Sequence, residues 1–222
     1  MASRVVYTAI TNGHADLSPH PEVPDTDFIC YSDVPLDRDD WQVRPLEAPS
    51  GLSPRMQAKF HKVFPPSGYE WSVWIDGAYE LHAGAQARFF VNGLVQHSPQ
   101  GLGLHTHPVR DCLYDEAAHA MTLPKCSGIA AVLEEQAAHY ARQGHPKHSG
   151  LWAAGLLCRK DDTAIRKLMQ LWWDELVRWT WRDQISLAYV LARERFAPTG
   201  WSWSMYPTPY MKDWKFNAET PR

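Results

Sequence analysis

The sequence predicts one α/β domain, a mostly parallel sheet flanked by helices, in residues 1–196, followed by an aromatic-rich tail at 197–222. Short apolar strands alternate along the chain with amphipathic helices, which is the pattern of parallel α/β sheets. Three of these strands end in polar residues and a turn, at 11–14, Asp33 and Asp76. Because ligands of such sheets bind outside the carboxyl ends of the strands, these tips predict a binding site.

The strands that carry these tips lie in the N-terminal third of the chain. RVVYTAI (4–10) is short, β-branched and apolar and breaks at a Thr-Asn-Gly turn, which predicts a buried strand that enters a tight loop. DFICYSD (27–33) has the same form, and a weaker strand is expected at 41–44. YEWSVWIDG (69–77) predicts a central strand that ends at Asp76.

A short amphipathic helix is predicted at 53–64, SPRMQAKFHKVF. Its Ser-Pro start suits the N-cap and the first helical position, and Met56 and Phe60 fall on one face. Arg55 and Lys59 are four residues apart and therefore lie on neighbouring turns. They form either a solvated charged face or a pair of cations that neutralises a phosphate or holds a carboxylate.

The remaining elements follow from hydrophobic periodicity and turn residues. The Asn-Gly pair in FFVNGLVQH predicts a strand pair joined by a tight turn. Residues 162–196 predict a long helical region with a break near Trp179, and the tail is expected to be irregular. The other predicted elements are the strand pair at 89–97, helices at 111–121 and 127–144, and a buried strand at 150–160.

The composition narrows the class of protein. A net charge of −3 and a pI near 6.4 give no overall basic field, so a nucleic-acid partner would need a local patch. We find no segment with the length of a membrane span or the layout of a signal peptide, and we expect no membrane partner. The scattered cysteines indicate reduced core thiols and a cytoplasmic location. They are Cys30, Cys112, Cys126 and Cys158.

Asp76 stands between an apolar strand and a glycine, and two interpretations apply to it. A carboxylate at such a turn commonly caps backbone amides. Alternatively, a carboxylate fixed at a strand tip can anchor Mg²⁺ or Mn²⁺, which take oxygen ligands and bridge a diphosphate. Such an ion needs further ligands, and His107, held extended by the following proline, is the candidate, with His105 as its substitute.

The segment TWRDQIS (180–186) places Arg182, Asp183 and Gln184 at consecutive positions. Three successive side chains cannot share one face of a helix, so a helix start with Asp183 in its first turn explains them structurally. The functional alternative is that Asp183 and Gln184 reach into a cleft and bind the hydroxyl groups of a polyhydroxylated substrate.

Familiar catalytic motifs narrow the enzyme class further. The sequence lacks GxSxG, GxxxxGK[ST] and HExxH, and its one glycine-rich segment, GLGLHTH, does not follow a suitable βαβ unit. Serine hydrolases, P-loop enzymes, zincins and dinucleotide-binding oxidoreductases are therefore disfavoured. A metal-assisted transferase that uses a nucleoside diphosphate remains open.

The order of the motifs resembles a glycosyltransferase-like family. That family was long catalogued as a domain of unknown function and is known from mucilage-type plant Golgi proteins and from bacterial and phage sequences. The resemblance covers roughly Val5 to Val190. Its blocks are VVYTAITNGHADL, DFICYSD, SPRMQAKFHKV, VWIDG, HPVRDCLYDEA, EEQAAHYARQGHP, GLWAAGLLCRK and WWDELVRWTWRDQIS.

The resemblance implies a GT-A-type fold, a nucleotide-sugar donor such as a UDP-sugar, and a divalent metal ion, Mn²⁺ or Mg²⁺. It also implies which residues bind the donor. Residues 8–16 would line the base and ribose, Asp33 would lie near the base, and Arg55 and Lys59 of the short helix would bind the donor. The implied donor-binding residues are Thr8, Ile10, Thr11, Asn12, Asp33, Arg55, Lys59 and Asp76.

The resemblance implies the catalytic groups as well. Asp76 matches the last carboxylate of an Asp-x-Asp metal motif, although Trp74 stands where the first would be. Asp183 and Asp76 would be catalytic, with Asp183 near the anomeric carbon as stabilising carboxylate or base, and Asp76 and His107 would be metal ligands. The implied acceptor-binding residues are Arg110, Glu116, Arg182 and Gln184.

The sequence leaves two classes of acceptor open. The tail segment 200–216 carries aromatic residues among lysines, as sugar-stacking and base-stacking surfaces do, while core packing is the structural alternative. The acceptor is therefore either a glycan or a hydroxymethylated DNA base such as 5-hydroxymethylcytosine, as in phage DNA-modifying enzymes that act in the host cytoplasm, with a small metabolite third. A protein that binds sugar nucleotides without turnover is the alternative to an enzyme.

Overall fold

The computed structural model describes residues 2–13, 17–20, 22–77, 80–81, 85–201 and 211–212. Seven strands form one mixed sheet in the order β3-β2-β1-β4-β7-β6-β8. Six of them share one direction, and β7 opposes its neighbours β4 and β6. The predicted α/β domain with a mostly parallel sheet is confirmed. The strands are β1 Arg4–Ile10, β2 Thr26–Ser32, β3 Gln42–Pro45, β4 Trp71–Ile75, β5 Glu80–Leu81, β6 Leu102–Thr106, β7 Trp152–Lys160, β8 Thr199–Trp201 and β9 Met211–Lys212, the last pairing with β5.

Helices cover both faces of the sheet because side chains alternate along its strands. Val5 and Tyr7 of β1 belong to a core shared with α1 and α3 to α6, whereas Val6 and Ile10 belong to a second core shared with α2. The helices are α1 Pro54–Val63, α2 Ala85–Gln96, α3 Leu113–Thr122, α4 Ala130–Arg142, α5 Thr163–Arg178 and α6 Asp183–Arg193. In the part of the chain that the structure describes, we find no helix that is both long and apolar enough to span a membrane.

The parallel pairing of β1 with β2 and β4 brings the three polar tips to one edge of the sheet. At this edge the backbone N–H of Asn12 donates a 2.7 Å hydrogen bond to Oδ1 of Asp33. Asn12 and Gly13 both adopt positive φ angles, 54° and 58°, which turn the chain sharply after β1. The tip of β1 is thus held by the tip of β2.

Two helical predictions are confirmed in detail. Ser53 caps α1, since its Oγ accepts a hydrogen bond from the backbone N–H of Met56, and a proline follows as the first helical residue. The long C-terminal helical region breaks between α5 and α6, and Asp183 is the first residue of α6. Trp172 fixes that start, because its Nε1 donates to the backbone oxygen of Asp183.

Three sequence predictions were wrong. The expected strand pair at 89–97 belongs to α2: Phe90, Val91 and Leu94 are buried at helical spacing, and the Asn-Gly pair lies inside the helix, where Asn92 accepts a hydrogen bond from Arg4. The helix expected from residue 127 begins instead as a 3₁₀ turn, Pro124–Ile129, and becomes α-helical only at the start of α4.

The third wrong prediction concerns the tail, whose first residues form the edge strand β8 rather than an irregular segment. The indole of Trp201 packs across β6, and a side chain at Gly103 would overlap with that ring. The domain boundary at residue 196 stays a prediction. Most of the segment 200–216 lies outside the described residues, as do residues 14–16 of the loop after β1.

Candidate active site

Helix α1 carries a basic face made of Arg55, Lys59 and Lys62. Spacings of four and three residues put the three side chains on one side of a helix. Arg55 is exposed and stacks its guanidinium 4.1 Å from the ring centre of Trp181. Lys62 is 1% exposed, which is rare for a lysine and requires charged or polar partners.

The partner of both lysines is Asp183, at the start of α6. Nζ of Lys59 and Nζ of Lys62 each lie 2.6 Å from the same carboxylate oxygen, Oδ2. Burial acts to raise the pKa of Asp183, but the two lysines hold that pKa well below its usual range. Burial also lowers the pKa of Lys59, and the carboxylate of Asp183 opposes that shift. A buried carboxylate shared by two lysines therefore joins α1 to the N-terminus of α6.

Asp76, at the tip of β4, lies beside this group. Its Oδ1 accepts a 2.7 Å hydrogen bond from the indole Nε1 of Trp74 and lies 3.4 Å from Nζ of Lys62. Burial acts to lower the pKa of Lys62, but Asp183 and Asp76 offset it and the pKa is raised, so this lysine is a cation. The side chain of Asp76 is 39% exposed, and its carboxylate is thus the accessible one of the pair.

A second buried carboxylate, Glu116 of α3, organises the neighbouring charged cluster. Its side chain is 1% exposed, and it accepts a 2.7 Å hydrogen bond from Nε of Arg110 and another from Arg182. Because Arg182 directly precedes Asp183, the Glu116 cluster and the lysine cluster adjoin. The structure thus brings together three predicted acceptor-binding residues, with Glu116 as the shared partner of Arg110 and Arg182. The fourth, Gln184, lies in the first turn of α6 and is partly exposed.

His107 belongs to the Glu116 cluster. Its Nδ1 accepts a 3.0 Å hydrogen bond from the backbone N–H of Arg110, and its Nε2 lies 3.8 Å from a carboxylate oxygen of Glu116. Burial lowers the pKa of His107, which favours the neutral ring. Its Nε2 also lies 3.5 Å from the guanidinium Nη2 of Arg110, so the ring is held between that cation and Glu116.

The predicted nucleoside side of the site lies along the tips of β1 and β2. Thr8 and Ile10 are buried, and a side chain at Gly77 would meet Cγ1 of Ile10 at 3.2 Å and Oγ1 of Thr8 at 3.7 Å. These two residues therefore support the turn that follows Asp76. Thr11 is largely buried and Asn12 exposed in the loop after them. Asp33 lines an open groove at the ends of β2 and β3, together with Ser32, Val34, Pro35, Val43, Arg44 and Pro45.

One three-residue group of possible metal ligands occurs among the described residues, and it does not include Asp76 or His107. The ligand atoms of Cys112, Asp115 and His148 lie within 4.8 Å of one another. Asp115, in the first turn of α3, and His148, in the connection between α4 and β7, are both exposed. All four cysteines are buried free thiols, as the sequence predicts.

Sequence reasoning missed Lys62. The signal was present, because Arg55, Lys59 and Lys62 follow the helical spacing of one face, but Lys62 lies beside apolar residues and resembled an ordinary solvated lysine. Trp74 was noted only as a replaced carboxylate. The sequence did not show that the indole N–H of Trp74 donates to Asp76. That contact forms because the two side chains lie together at the end of β4.

Comparison with known proteins identifies the family. No curated protein matches the chain significantly. Among solved structures, that of mouse xyloside xylosyltransferase 1 in its apo form is similar, with a TM-score of 0.45 and 10% sequence identity over 90% of this chain and 84% of that one. The model of the TOD1/MUCI70 glycosyltransferase-like domain matches residues 49–217, which include α1, Asp76, the Glu116 cluster and Asp183. The chain belongs to the TOD1/MUCI70 glycosyltransferase-like family.

Proposed function

We propose that this protein is a glycosyltransferase that moves a sugar from a nucleoside-diphosphate sugar to an acceptor hydroxyl. One observation carries the proposal: two lysines that share the buried Asp183 lie beside the accessible carboxylate of Asp76, at the carboxyl ends of the parallel strands β1, β2 and β4. Family membership supports it. This edge is where ligands of α/β sheets bind.

The chemistry needs two kinds of charge. The bond between the anomeric carbon and the diphosphate oxygen breaks, and its electron pair leaves with the diphosphate. The basic face of α1 offers positive charge to that leaving group. The acceptor oxygen forms the new bond and gives up its proton, and a carboxylate can take that proton or face the oxocarbenium-like centre.

The two predicted catalytic aspartates take different parts in this proposal. Asp183 is buried between two ammonium groups, so it positions Lys59 and Lys62. Asp76 is more exposed and is the carboxylate that we assign to the reacting atoms. The nucleoside would lie along the tips of β1 and β2, where the groove beside Asp33 offers carboxylate, guanidinium and backbone groups.

The proposed acceptor face is the adjoining Glu116 cluster. Arg110 and Arg182 both use Glu116 as their buried counter-charge, and Gln184 follows on the first turn of α6. Guanidinium and amide groups suit the hydroxyl groups of a glycan. We rank a glycan hydroxyl first and keep a hydroxymethylated DNA base as the alternative to be tested.

A panel of sugar nucleotides tests the proposal. We expect release of nucleoside diphosphate from at least one donor, measured with and without Mn²⁺ and with oligosaccharides or hydroxymethylated DNA present. Lys167→Met provides a control, because that lysine forms an exposed ion pair with Glu194 on the surface. Measurable donor binding with no turnover for any donor and acceptor would contradict the enzyme and favour a sugar-nucleotide-binding module.

A further inference from the structure

The lysine pair of α1 bears on how the donor diphosphate is neutralised. We propose that Lys59 and Lys62 take the place of a divalent metal ion, so that donor binding and glycosyl transfer need no metal. This inference rests on the proposed function, since it concerns the diphosphate subsite of the same site.

Among the residues that the structure describes, the donor atoms around Asp76 do not fit Mg²⁺ or Mn²⁺. These ions need several oxygen ligands, commonly including carboxylates. Two residues before Asp76, the chain presents the indole of Trp74, whose N–H is a donor and cannot bind a cation. Oδ1 of Asp76 is already used by that N–H and faces the ammonium group of Lys62 at 3.4 Å.

The charge of the site also disfavours a dication. Two ammonium groups, Lys59 and Lys62, balance two carboxylates, Asp76 and Asp183. A doubly charged ion bound by Asp76 would lie next to a buried ammonium group, and repulsion between like charges is strong where water is excluded. A site for a metal ion would instead need an excess of negative charge.

His107 does not supply the missing ligand. Its Nδ1 accepts the backbone N–H of Arg110, and its Nε2 lies 3.5 Å from the guanidinium Nη2 of Arg110. A cation at Nδ1 would therefore meet a backbone N–H, and one at Nε2 would meet the positive charge of Arg110. The residues that the resemblance implies as metal ligands are thus both committed to other partners.

A diphosphate fits the same groups well. Among the described residues, Lys59 has one ion-pair partner, Asp183 at 2.6 Å, so its other N–H groups can donate to a phosphate oxygen. Each ammonium carries three N–H donors, and charge-assisted hydrogen bonds to phosphate oxygens are strong. The side chain of Lys59 is 19% exposed, which leaves it within reach of a ligand at the sheet edge.

A purely structural ion-pair network is the rival explanation, in which the lysines only hold α1 against α6. The two explanations differ in what Lys59→Met changes. Because Lys62 continues to pair with Asp183 in that variant, a structural network loses stability but leaves ligand affinity unchanged. If Lys59 contacts the diphosphate, affinity for UDP falls even where the protein stays folded.

Titration calorimetry of the full chain with UDP tests the inference. In excess EDTA we expect UDP to bind with an affinity within about twofold of that in Mn²⁺. We expect Lys59→Met to weaken binding by about tenfold or more in EDTA, with Lys167→Met unchanged and circular dichroism confirming the fold of each variant. Lys62→Met tests the second lysine where the variant folds.

The outcomes separate the inference from the proposed function. Binding of UDP that requires Mn²⁺ would overturn the inference and leave the glycosyltransferase standing. Wild-type affinity in Lys59→Met would overturn it as well. No binding of any nucleoside diphosphate in either condition would overturn the proposed function and the inference together.

Discussion

The indole Nε1 of Trp74 donates a 2.7 Å hydrogen bond to Oδ1 of Asp76, two residues further along the chain. Trp74 is buried, and its ring meets that of Tyr7 edge to face at 5.3 Å, so the indole is held rigidly. A rigid donor orients the carboxylate without removing it from solvent. The residue that interrupts an Asp-x-Asp pattern thus supports the aspartate that remains.

Asp76→Asn should abolish activity while the protein stays folded. The amide keeps an oxygen that can accept from Trp74, and the position is partly exposed, so we expect a stability change within about 1 kcal/mol. Loss of the negative charge at the reacting atoms should lower kcat by about a hundredfold or more. Steady-state donor turnover and urea unfolding check the two parts, and unaltered turnover would remove Asp76 from the site.

Asp183→Asn should behave differently, with a large loss of stability. The substitution leaves Lys59 and Lys62 without the carboxylate that both contact in the interior. Breaking a buried ion pair by removing one partner costs about 3–5 kcal/mol. Urea unfolding measures the loss, with Asp174→Asn as a control at an exposed hydrogen bond to Gln170. Equal stability of the two variants would contradict the buried pairing.

The ends of the strands could be predicted from the sequence, whereas one of the helices could not. The tips of β1, β2 and β4 were predictable, because alternation and turn residues are local signals and parallel pairing then places the tips together. The helical structure of residues 89–96 could not be predicted, because the Asn-Gly pair is a turn signal. The burial of Phe90 and Leu94 on one face of α2 outweighs that local signal.

The ion pairs within the site could not be predicted from the sequence, because they form only in the folded chain. Lys62 and Asp183 are 121 residues apart, and nothing in either neighbourhood indicates the other. Their contact follows only when α1 and α6 pack on the same face of the sheet. The sequence could therefore propose Lys59 and Asp183 as site residues, but not that one carboxylate serves two lysines.

Gly103→Ala should destabilise the sheet edge. A methyl group there would overlap with the ring of Trp201 and the hydroxyl of Ser98, so β8 must shift away from β6. Overpacking of this kind costs about 1–3 kcal/mol. Gly128→Ala is the matched control, because a side chain there meets no atom of the described residues within 4 Å. Thermal unfolding of both variants checks the packing, and equal midpoints would contradict it.

His61 should make stability depend on pH. Burial lowers its pKa from 6.5 to about 4, and its ring stacks on Tyr31 at 3.7 Å. Below pH 6.5, His61 is protonated in the unfolded chain but neutral in the folded protein. The free energy of unfolding therefore falls as the pH drops towards 4.

We therefore expect His61→Phe to lose less stability than the wild type between pH 7 and pH 5, by about 1–2 kcal/mol. The phenyl ring keeps an aromatic partner for Tyr31. His97→Phe, at an exposed position, should keep the wild-type dependence. Urea unfolding at the two pH values gives the comparison, and parallel losses in all three proteins would contradict the neutral, buried state of His61.

Transfer of an isotope-labelled sugar is the direct measure of whether this protein is a glycosyltransferase. Wild-type protein and Asp76→Asn are incubated with labelled sugar nucleotides and with either oligosaccharides or hydroxymethylated DNA, and mass spectrometry measures the acceptors. We expect one acceptor class to gain a single labelled sugar with the wild type and none with the variant. A wild-type protein that binds the donor but leaves every acceptor unchanged would contradict it.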